Sequence, residues 1–422
     1  MIIGSEAYEI KATDFVIYSD ALLTSPELKR AKELAEDTER KARYPMSYHQ
    51  FLGEITKYFE TIAIAGTHGK STTTALATYT LSQLDDKLGL GILGALVPQL
   101  DNKNYWLNHR AKDDIKKIFE HILDGKQTDR DETLRKKYRF IIEADEFNRH
   151  FLYLDVDHAL VLNAELDHSD IYKNDVEYFE AFHQFGNKVK HNIWSISNEI
   201  GIERFADELK NDKLHRIAPY DISLQYIFGR HNQKNASLVY ALTATLLGRK
   251  SFEIGPDEEI VATMNTFTGL RRRMEFLRNN ENGAPIYTDY GHHPTALDAV
   301  HHAMREKYPD KKLVAIVQPH QMRRVLEYRH EWVRVLKEFD QLFLYPIYAA
   351  REDVAILLKE YNHEFLTQAA NADDVSTFLA SQVNATFVSD PLTVKDIMNK
   401  ASGDSVVVLF TAGNLDYQIR TL

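Results

Sequence analysis

The chain of 422 residues contains no cysteine. Thiol nucleophiles, zinc–thiolate centres and disulfides are excluded together, and the omission suits a reducing compartment. Long apolar runs are missing as well: nothing approaches the ~18–20 residues of a membrane span. The opening Met-Ile-Ile-Gly-Ser-Glu carries no basic stretch followed by an apolar one. No secretion signal is expected, and the cytoplasm is the expected compartment. Basic charge is in deficit, with Lys plus Arg at 51 against Asp plus Glu at 62 and a net charge of −11. A general nucleic-acid binder would carry a basic surface. Neither a nucleic-acid nor a membrane partner is therefore expected, although a local basic pocket for a small anion remains compatible. Low-complexity tracts and short repeats are also missing.

What is present is ordinary for a globular chain: 44% hydrophobic and 27% charged residues. At roughly 150 residues per domain, two or three domains are expected. Short apolar runs alternate with longer amphipathic stretches. Strands are expected at 15–18, 61–65, 140–143, 159–163, 285–289, 313–318, 341–345 and 405–410. Helices are expected at 25–44, 70–84, from Val176 towards His183, 295–308 and 324–339. This alternation predicts an α/β fold with mainly parallel sheets. The highly charged stretch Lys112–Lys137 reads as solvated surface. Domain cuts fall near 54–60 and 248–256.

The sharpest local pattern is the apolar run Thr61–Ala65 entering Gly66-Thr67-His68-Gly69-Lys70-Ser71-Thr72. Backbone N–H groups of such a turn, with the positive end of the following helix, hold phosphate oxygens. Lys70 adds a point charge, and the Ser71 hydroxyl suits Mg²⁺. The usual spacing places a glycine five residues before Gly69; that position is Ile64, so this is a shortened phosphate loop. Acids cluster after a second strand in Glu143-Ala144-Asp145-Glu146, at the edge where open α/β sheets place ligands. A hard cation needs such oxygen donors. Asp167-His168-Ser169-Asp170 follows a third strand, where His168 suits either a metal or a carboxylate. In His231-Asn232-Gln233-Lys234-Asn235 the asparagines suit either a helix cap or an adenine edge. Arg271-Arg272-Arg273 suits a polyanion or a basic surface stripe. Tyr287-Thr288-Asp289-Tyr290-Gly291-His292-His293-Pro294 ends a strand with an acid that suits ribose hydroxyls. Its adjacent histidines point apart, which speaks against a dedicated transition-metal site there. Gln318-Pro319-His320-Gln321 and Thr411-Ala412-Gly413-Asn414 also follow strands.

Taken in order, these segments resemble the Mur ligase family of ATP-dependent amide-forming enzymes, from about Asp14 to the C-terminus. The resemblance implies a partial N-terminal Rossmann-like domain for a UDP-sugar over residues 1–55. It implies a central P-loop ATPase domain with a parallel sheet over 56–250. A C-terminal Rossmann-like domain for the amino acid follows over 251–422. The family's glycine-rich UDP loop has no counterpart ahead of Asp14. The expectation is a truncated first domain, a donor held differently, or another donor. Gly-Thr-His-Gly, Glu-Ala-Asp-Glu, Gly-His-His-Pro and Gln-Pro-His lean towards the branch that joins L-alanine to UDP-N-acetylmuramate. Asp167-His168-Ser169-Asp170-Ile171-Tyr172 and His292-His293-Pro294-Thr295-Ala296 lean towards the branch that attaches a short peptide.

The resemblance further implies that ATP phosphorylates the acceptor carboxylate and that the amine attacks the acyl phosphate. Its cofactors are ATP and Mg²⁺, and the assembly is a monomer or homodimer. Gly66, Thr67, His68, Gly69, Lys70, Ser71 and Thr72 are then the phosphate contacts. Ser71 and Glu143 hold one Mg²⁺ and His168 a second. Asn235 and Asp289 contact adenosine, and Arg272 meets phosphate. Tyr290, His292 and Arg324 face the amine or the carboxylate, which completes the catalytic set Lys70, Glu143, His168, His292 and Arg324. Two segments depart from the family pattern: Phe147-Asn148 replaces Ser-Asp, losing one acid, and Gln321 replaces an arginine; the carbamylated lysine that some relatives use is placed only by position, at Lys188 or Lys190. Two other readings stand beside this one: a non-catalytic sensor that retains the ATP site, and a ligase with another acceptor, such as a polyglutamate or cyanophycin-type enzyme.

Overall fold

Apolar runs become central strands, and the amphipathic stretches between them become helices, in the computed structural model. It describes residues 10–11, 14–36, 44–123, 131–166, 171–207, 209, 212–249, 256–350, 352–360 and 371–421. The chain divides into two compact units. The first comprises Met1–Gly94, Lys103–Tyr220 and Asn235–Met264; the second comprises Ala95–Asn102, Asp221–Lys234 and Asn265–Leu422.

In the first unit, β1 (Ile17–Tyr18) pairs parallel with β2 (Met46–Ser47). A larger sheet contains β3 (Glu60–Ala65), β4 (Leu88–Val97), β5 (Lys103–Leu107), β6 (Arg139–Glu143), β7 (His158–Val161), β8 (Asn192–Ile196) and β9 (Leu214–Ile217). Its order is β5-β4-β6-β3-β7-β8-β9. All pairs from β4 to β9 along this order are parallel. The strand after β3 in sequence lies to one side and β7 to the other, so the order reverses at the β3–β7 border. Open parallel sheets bind ligands at the carboxyl ends of strands flanking such a reversal. After its first two residues β3 is apolar because it is covered on both faces; Ile62 to Ala65 are fully buried. Helix Lys70–Leu84 packs closely on this sheet. A Cβ on Gly91 would lie 2.7 Å from Thr78 Cγ2, which accounts for the glycine in β4.

In the second unit, β10 (Glu275–Asn279), β11 (Pro285–Asp289), β12 (Lys312–Gln318), β13 (Gln341–Leu344), β14 (Thr386–Phe387) and β15 (Ser405–Thr411) form a sheet. The order is β10-β11-β15-β12-β13-β14. Only β10 runs antiparallel to its neighbour. Apolar clusters cover both faces, one around Trp332 and Phe410 and one around Ile316 and Leu409.

The α/β expectation holds, with local corrections. The helix expected over 25–44 runs over Pro26–Glu36 among the described residues, with Ser25 Oγ accepting the Leu28 N–H. The helix expected over 324–339 is two, Met322–Glu327 and Arg329–Leu336. They are separated at Tyr328, whose φ/ψ of −102/30 leaves the helical range. The charged stretch from Lys112 is not all solvated. Helix Lys112–Leu123 buries Ile115, Ile118 and Ile122, and Arg135 is buried against Asp157.

β3 and β6 start at a buried charge cluster. Arg139 Nε donates to Glu60 Oε2 at 2.8 Å, and its Nη1 donates to Asp85 Oδ2 at 2.5 Å. His158 Nε2 lies 3.4 Å from Glu60 Oε1. Burial works to raise the Glu60 pKa, but His158 and Arg139 outweigh it and lower it from 4.5 to about 2. A depressed carboxylate stabilises the fold above its unfolded pKa and loses that contribution as pH falls through the folded value. Urea unfolding measured from pH 6 down to pH 2 should therefore lose about 3 kcal/mol below pH 4.5 through this group alone. Glu60→Gln should flatten that part of the profile; an identical slope in the variant would exclude the cluster as its source.

Candidate active site

The phosphate-loop turn in the first unit depends on two glycines. Gly66 has φ 142° and Gly69 φ 85°, where side chains are strained. Added Cβ atoms would also press on Leu162 at 3.0 Å and on Asn235 Nδ2 at 3.1 Å. Gly69 caps helix Lys70–Leu84 without a side-chain hydrogen bond, so the helix start is open to an anion.

Residues after β7 hold the turn in place. Asn163 Oδ1 accepts the His68 N–H at 2.9 Å, and its Nδ2 donates to the His68 carbonyl at 3.1 Å. Thr67 Oγ1 donates to the Glu165 carbonyl at 2.7 Å and accepts the Glu165 N–H at 2.9 Å. The Tyr178 hydroxyl lies 2.7 Å from the same Thr67 oxygen, and His68 Nε2 lies 3.1 Å from Glu165 Oε2. Thr67 and His68 thus fix the loop's shape.

Lys70 Nζ donates to the Gly66 carbonyl at 2.5 Å and to Glu146 at 2.7 and 2.9 Å. Burial opposes its charge, but Glu146, Asp145 and Glu143 prevail and raise its pKa. Burial pushes Glu146 up to about 7 against the pull of Lys70. Lys70 is the cation of this pair, and Glu146, about half ionised near pH 7, is a partner that a phosphate could displace.

Ser71 Oγ lies 3.3 Å from Glu143 Oε1. A hydroxyl and a carboxylate at the end of β6 make a set of hard oxygen donors that fits Mg²⁺. Thr72 occupies the buried first turn, and Asn235 lies beside Gly69. Asp167, His168 and Asp170 lie outside the described residues. Lys190 pairs with Asp155 and Lys188 meets the Leu152 carbonyl; burial lowers the pKa of both lysines.

The second unit gathers another group at its strand ends. Asp289 is buried; its Oδ2 accepts the Met274 N–H at 2.7 Å and its Oδ1 the Gly291 N–H at 2.6 Å. Burial raises its pKa against Arg273 and these two donors. In this way Asp289 holds the turn in which Arg272 and Met274 take positive φ. The Arg272 guanidinium donates to the Gly413 carbonyl at 3.2 Å and lies 4.8 Å from the Tyr290 ring centroid. His292 packs edge-on to Tyr290 and His320. Burial, then Arg324 and Arg272, lower the His320 pKa to about 4, so a neutral imidazole sits among cations. His293 instead caps helix Pro294–Lys307 by accepting the Thr295 N–H. Arg272, Tyr290, His292, His320 and Arg324 therefore share one region, and the adjacent histidines diverge as expected.

Glu146, Asn163, Glu165 and Tyr178 were not singled out by role from sequence. Glu146 lay within a recognised acidic run, but nothing local signals which acid meets the lysine. Tyr178 meets Thr67 across 111 residues of chain.

A strand-end glycine turn at a sheet reversal, with Lys-Ser opening the next helix, defines an α/β protein of the phosphate-loop nucleotide-binding class. Residues 64–238 match the Mur ligase middle domain, and residues 272–413 match the Mur ligase, glutamate ligase domain. The UDP-N-acetylmuramate–L-alanine ligase of Pelodictyon phaeoclathratiforme is 30% identical over 381 residues, covering 83% of this chain and 70% of that protein. Its counterpart in Lacticaseibacillus paracasei is 29% identical over 367 residues, covering 79% and 71%. The chain belongs to the Mur ligase family, whose members are ATP-dependent ligases. Its fold is shared with UDP-N-acetylmuramate-alanine ligase MurC from Thermotoga maritima (TM-score 0.67, 19% identity, covering 96% of this chain and 84% of that one). E. coli FolC in complex with DHPP and ADP shares it as well (TM-score 0.58, 14% identity, covering 89% and 92%). No described helix is long and apolar enough to cross a membrane.

Proposed function

We propose that the chain joins L-alanine to the carboxylate of UDP-N-acetylmuramate, using ATP and Mg²⁺, in the cytoplasm as part of peptidoglycan precursor synthesis. The observation that carries this reading is the convergence of Lys70, Ser71 and Glu143 on a glycine-capped helix start. The substrates are those that the names of its relatives give, proteins of which this chain covers 70–71%.

A carboxylate resists attack by an amine because of its charge. In the reaction, an acceptor carboxylate oxygen attacks the γ-phosphorus and ADP leaves. The amine nitrogen then attacks the acyl carbon, phosphate departs with the C–O electron pair, and the amine loses a proton. Such transfer depends chiefly on positioning and charge neutralisation. In this reading the Gly66–Thr72 backbone and Lys70 hold the phosphates. Ser71 and Glu143 hold Mg²⁺, which screens phosphate charge when bound. By sequence position, His168 is the candidate for a second ion. Asn235 serves the adenine, and Asp289 the ribose as well as its own turn. Arg272 serves phosphate, while Tyr290, His292 and Arg324 serve the amine and the acceptor carboxylate. Residues 1–55, 56–250 and 251–422 are assigned to the UDP-sugar, ATP and amino-acid roles.

The buried Tyr172 hydroxyl donates to the Glu146 carbonyl at 2.5 Å. The test is ADP release with UDP-N-acetylmuramate and each amine in turn. L-Alanine should be required. Dependence on a tripeptide would reassign the amine, and silence with every pair would leave a nucleotide-binding sensor.

A further inference from the structure

Two imidazoles and a carboxylate meet in the first unit, beside the Lys70–Glu146 pair but separate from it. His49 lies in helix Tyr48–Thr56, Asp145 follows β6, and His150 lies in the 3₁₀ turn Phe147–Tyr153. One ligand-type atom from each falls within 4.8 Å of the others. His150 Nε2 lies 2.5 Å from Asp20 Oδ2. Its Nδ1 is buried and has no hydrogen-bond partner among the described residues. Asp145 Oδ2 is 3.7 Å from that nitrogen. This is too long for a hydrogen bond, yet near the ~3.4 Å that separates two ligands on one tetrahedral ion with bonds of ~2.05 Å. The His49 ring lies on His150, with centroids 3.6 Å apart and planes at 9°.

The geometry points to a site for a divalent transition metal of the zinc class, with His49, His150 and Asp145 as ligands and Asp20 orienting His150. Donation of Nε2–H to Asp20 leaves the Nδ1 lone pair directed towards Asp145, the carboxylate–histidine–metal arrangement that fixes tautomer and ring direction. Two nitrogens and one oxygen select a borderline ion over Mg²⁺. The Asp145 side chain is 41% exposed, which leaves an entry path and an open coordination position. Ligation needs His49 to rotate out of the parallel stack so that its lone pair converges on the ion. The ion would tie the turn bearing Asp20 and the head of the His49 helix to the loop that delivers Glu146 to Lys70.

The test is calorimetric titration of the metal-stripped full chain with Zn²⁺, and Co²⁺ titration followed by visible absorption, both in excess Mg²⁺ and without nucleotide. One equivalent should bind, with a tetrahedral-type Co²⁺ spectrum. His49→Gln and His150→Gln should each weaken binding at least about tenfold, and Asp20→Asn by about 10–100-fold. Glu143→Gln, which alters the proposed nucleotide-linked Mg²⁺ site, should leave it unchanged. Circular dichroism checks each variant. If His150→Gln does not fold, the half-buried His49→Gln carries the comparison. No Zn²⁺ binding by the wild type, binding indifferent to both histidine variants, or binding lost in Glu143→Gln would overturn the site.

Discussion

Lys70→Ala should lower ligation turnover by on the order of 10²–10³-fold, the usual cost of losing one preorganised charge contact to a transition state, while the protein stays folded. The ammonium is held ready between the Gly66 carbonyl and Glu146, 2.7 Å from the latter. An incoming phosphate takes over from a counter-charge that is only about half ionised near pH 7, since burial holds Glu146 at about 7. Truncation leaves Glu146 buried without its cation, and its pKa then moves further upward. At pH 7 it is then mostly a neutral acid and not a stranded charge, which is why the fold survives. The sign follows from linkage: a carboxyl whose folded pKa is raised stabilises at low pH, and that stability is lost as pH rises through the folded value. Thermal melts of the variant should therefore stay near wild type at pH 6 and fall below it at pH 8. Near-normal ADP release by a folded Lys70→Ala protein would remove the phosphate-loop assignment.

Much of this site was legible because its chemistry is local in sequence. A fully buried strand, a glycine turn and a Lys-Ser helix start occupy twelve consecutive residues, so β3 and helix Lys70–Leu84 follow from pattern alone. The acids after β6 were legible for the same reason. The residues that shape the loop were not. Asn163 and Glu165 reach it because β7 lies beside β3, and Tyr178 because helix Asp175–Lys188 packs there. Strand neighbours in a parallel sheet are set by crossover topology, which no single segment encodes. β4 was missed for another reason. Its Leu-Gly-Leu-Gly-Ile-Leu-Gly run reads as turns, whereas its glycines serve close approaches. His49 and Asp20 were passed over because each is an isolated polar residue in its own segment. Only tertiary packing brings them to His150.

Gly94 in β4 shows what such a close approach does, and it carries the second large expected effect. A Cβ built on this glycine would stand 2.2 Å from Glu143 Oε2 and 2.9 Å from Oε1. The obstructed group is the far end of a side chain, so Gly94→Ala should be accommodated by rotation of the carboxylate and not by displacement of β4 or β6. That rotation takes Glu143 away from Ser71 Oγ, now 3.3 Å distant, and separates the two oxygens proposed to hold Mg²⁺. A misplacement of about 1 Å at a reacting centre costs about 10²-fold. ADP release by Gly94→Ala should fall by that order, and the Mg²⁺ concentration giving half-maximal rate should rise about tenfold or more. Its melting temperature should stay within about 4 °C of wild type, since about 1 kcal/mol moves a protein of this size by less than that. The two readouts together separate a displaced ligand from a damaged fold. A Mg²⁺ titration that superimposes on wild type, in a folded variant, would show that Glu143 does not set the metal requirement and that the donor pair with Ser71 has to be reassigned.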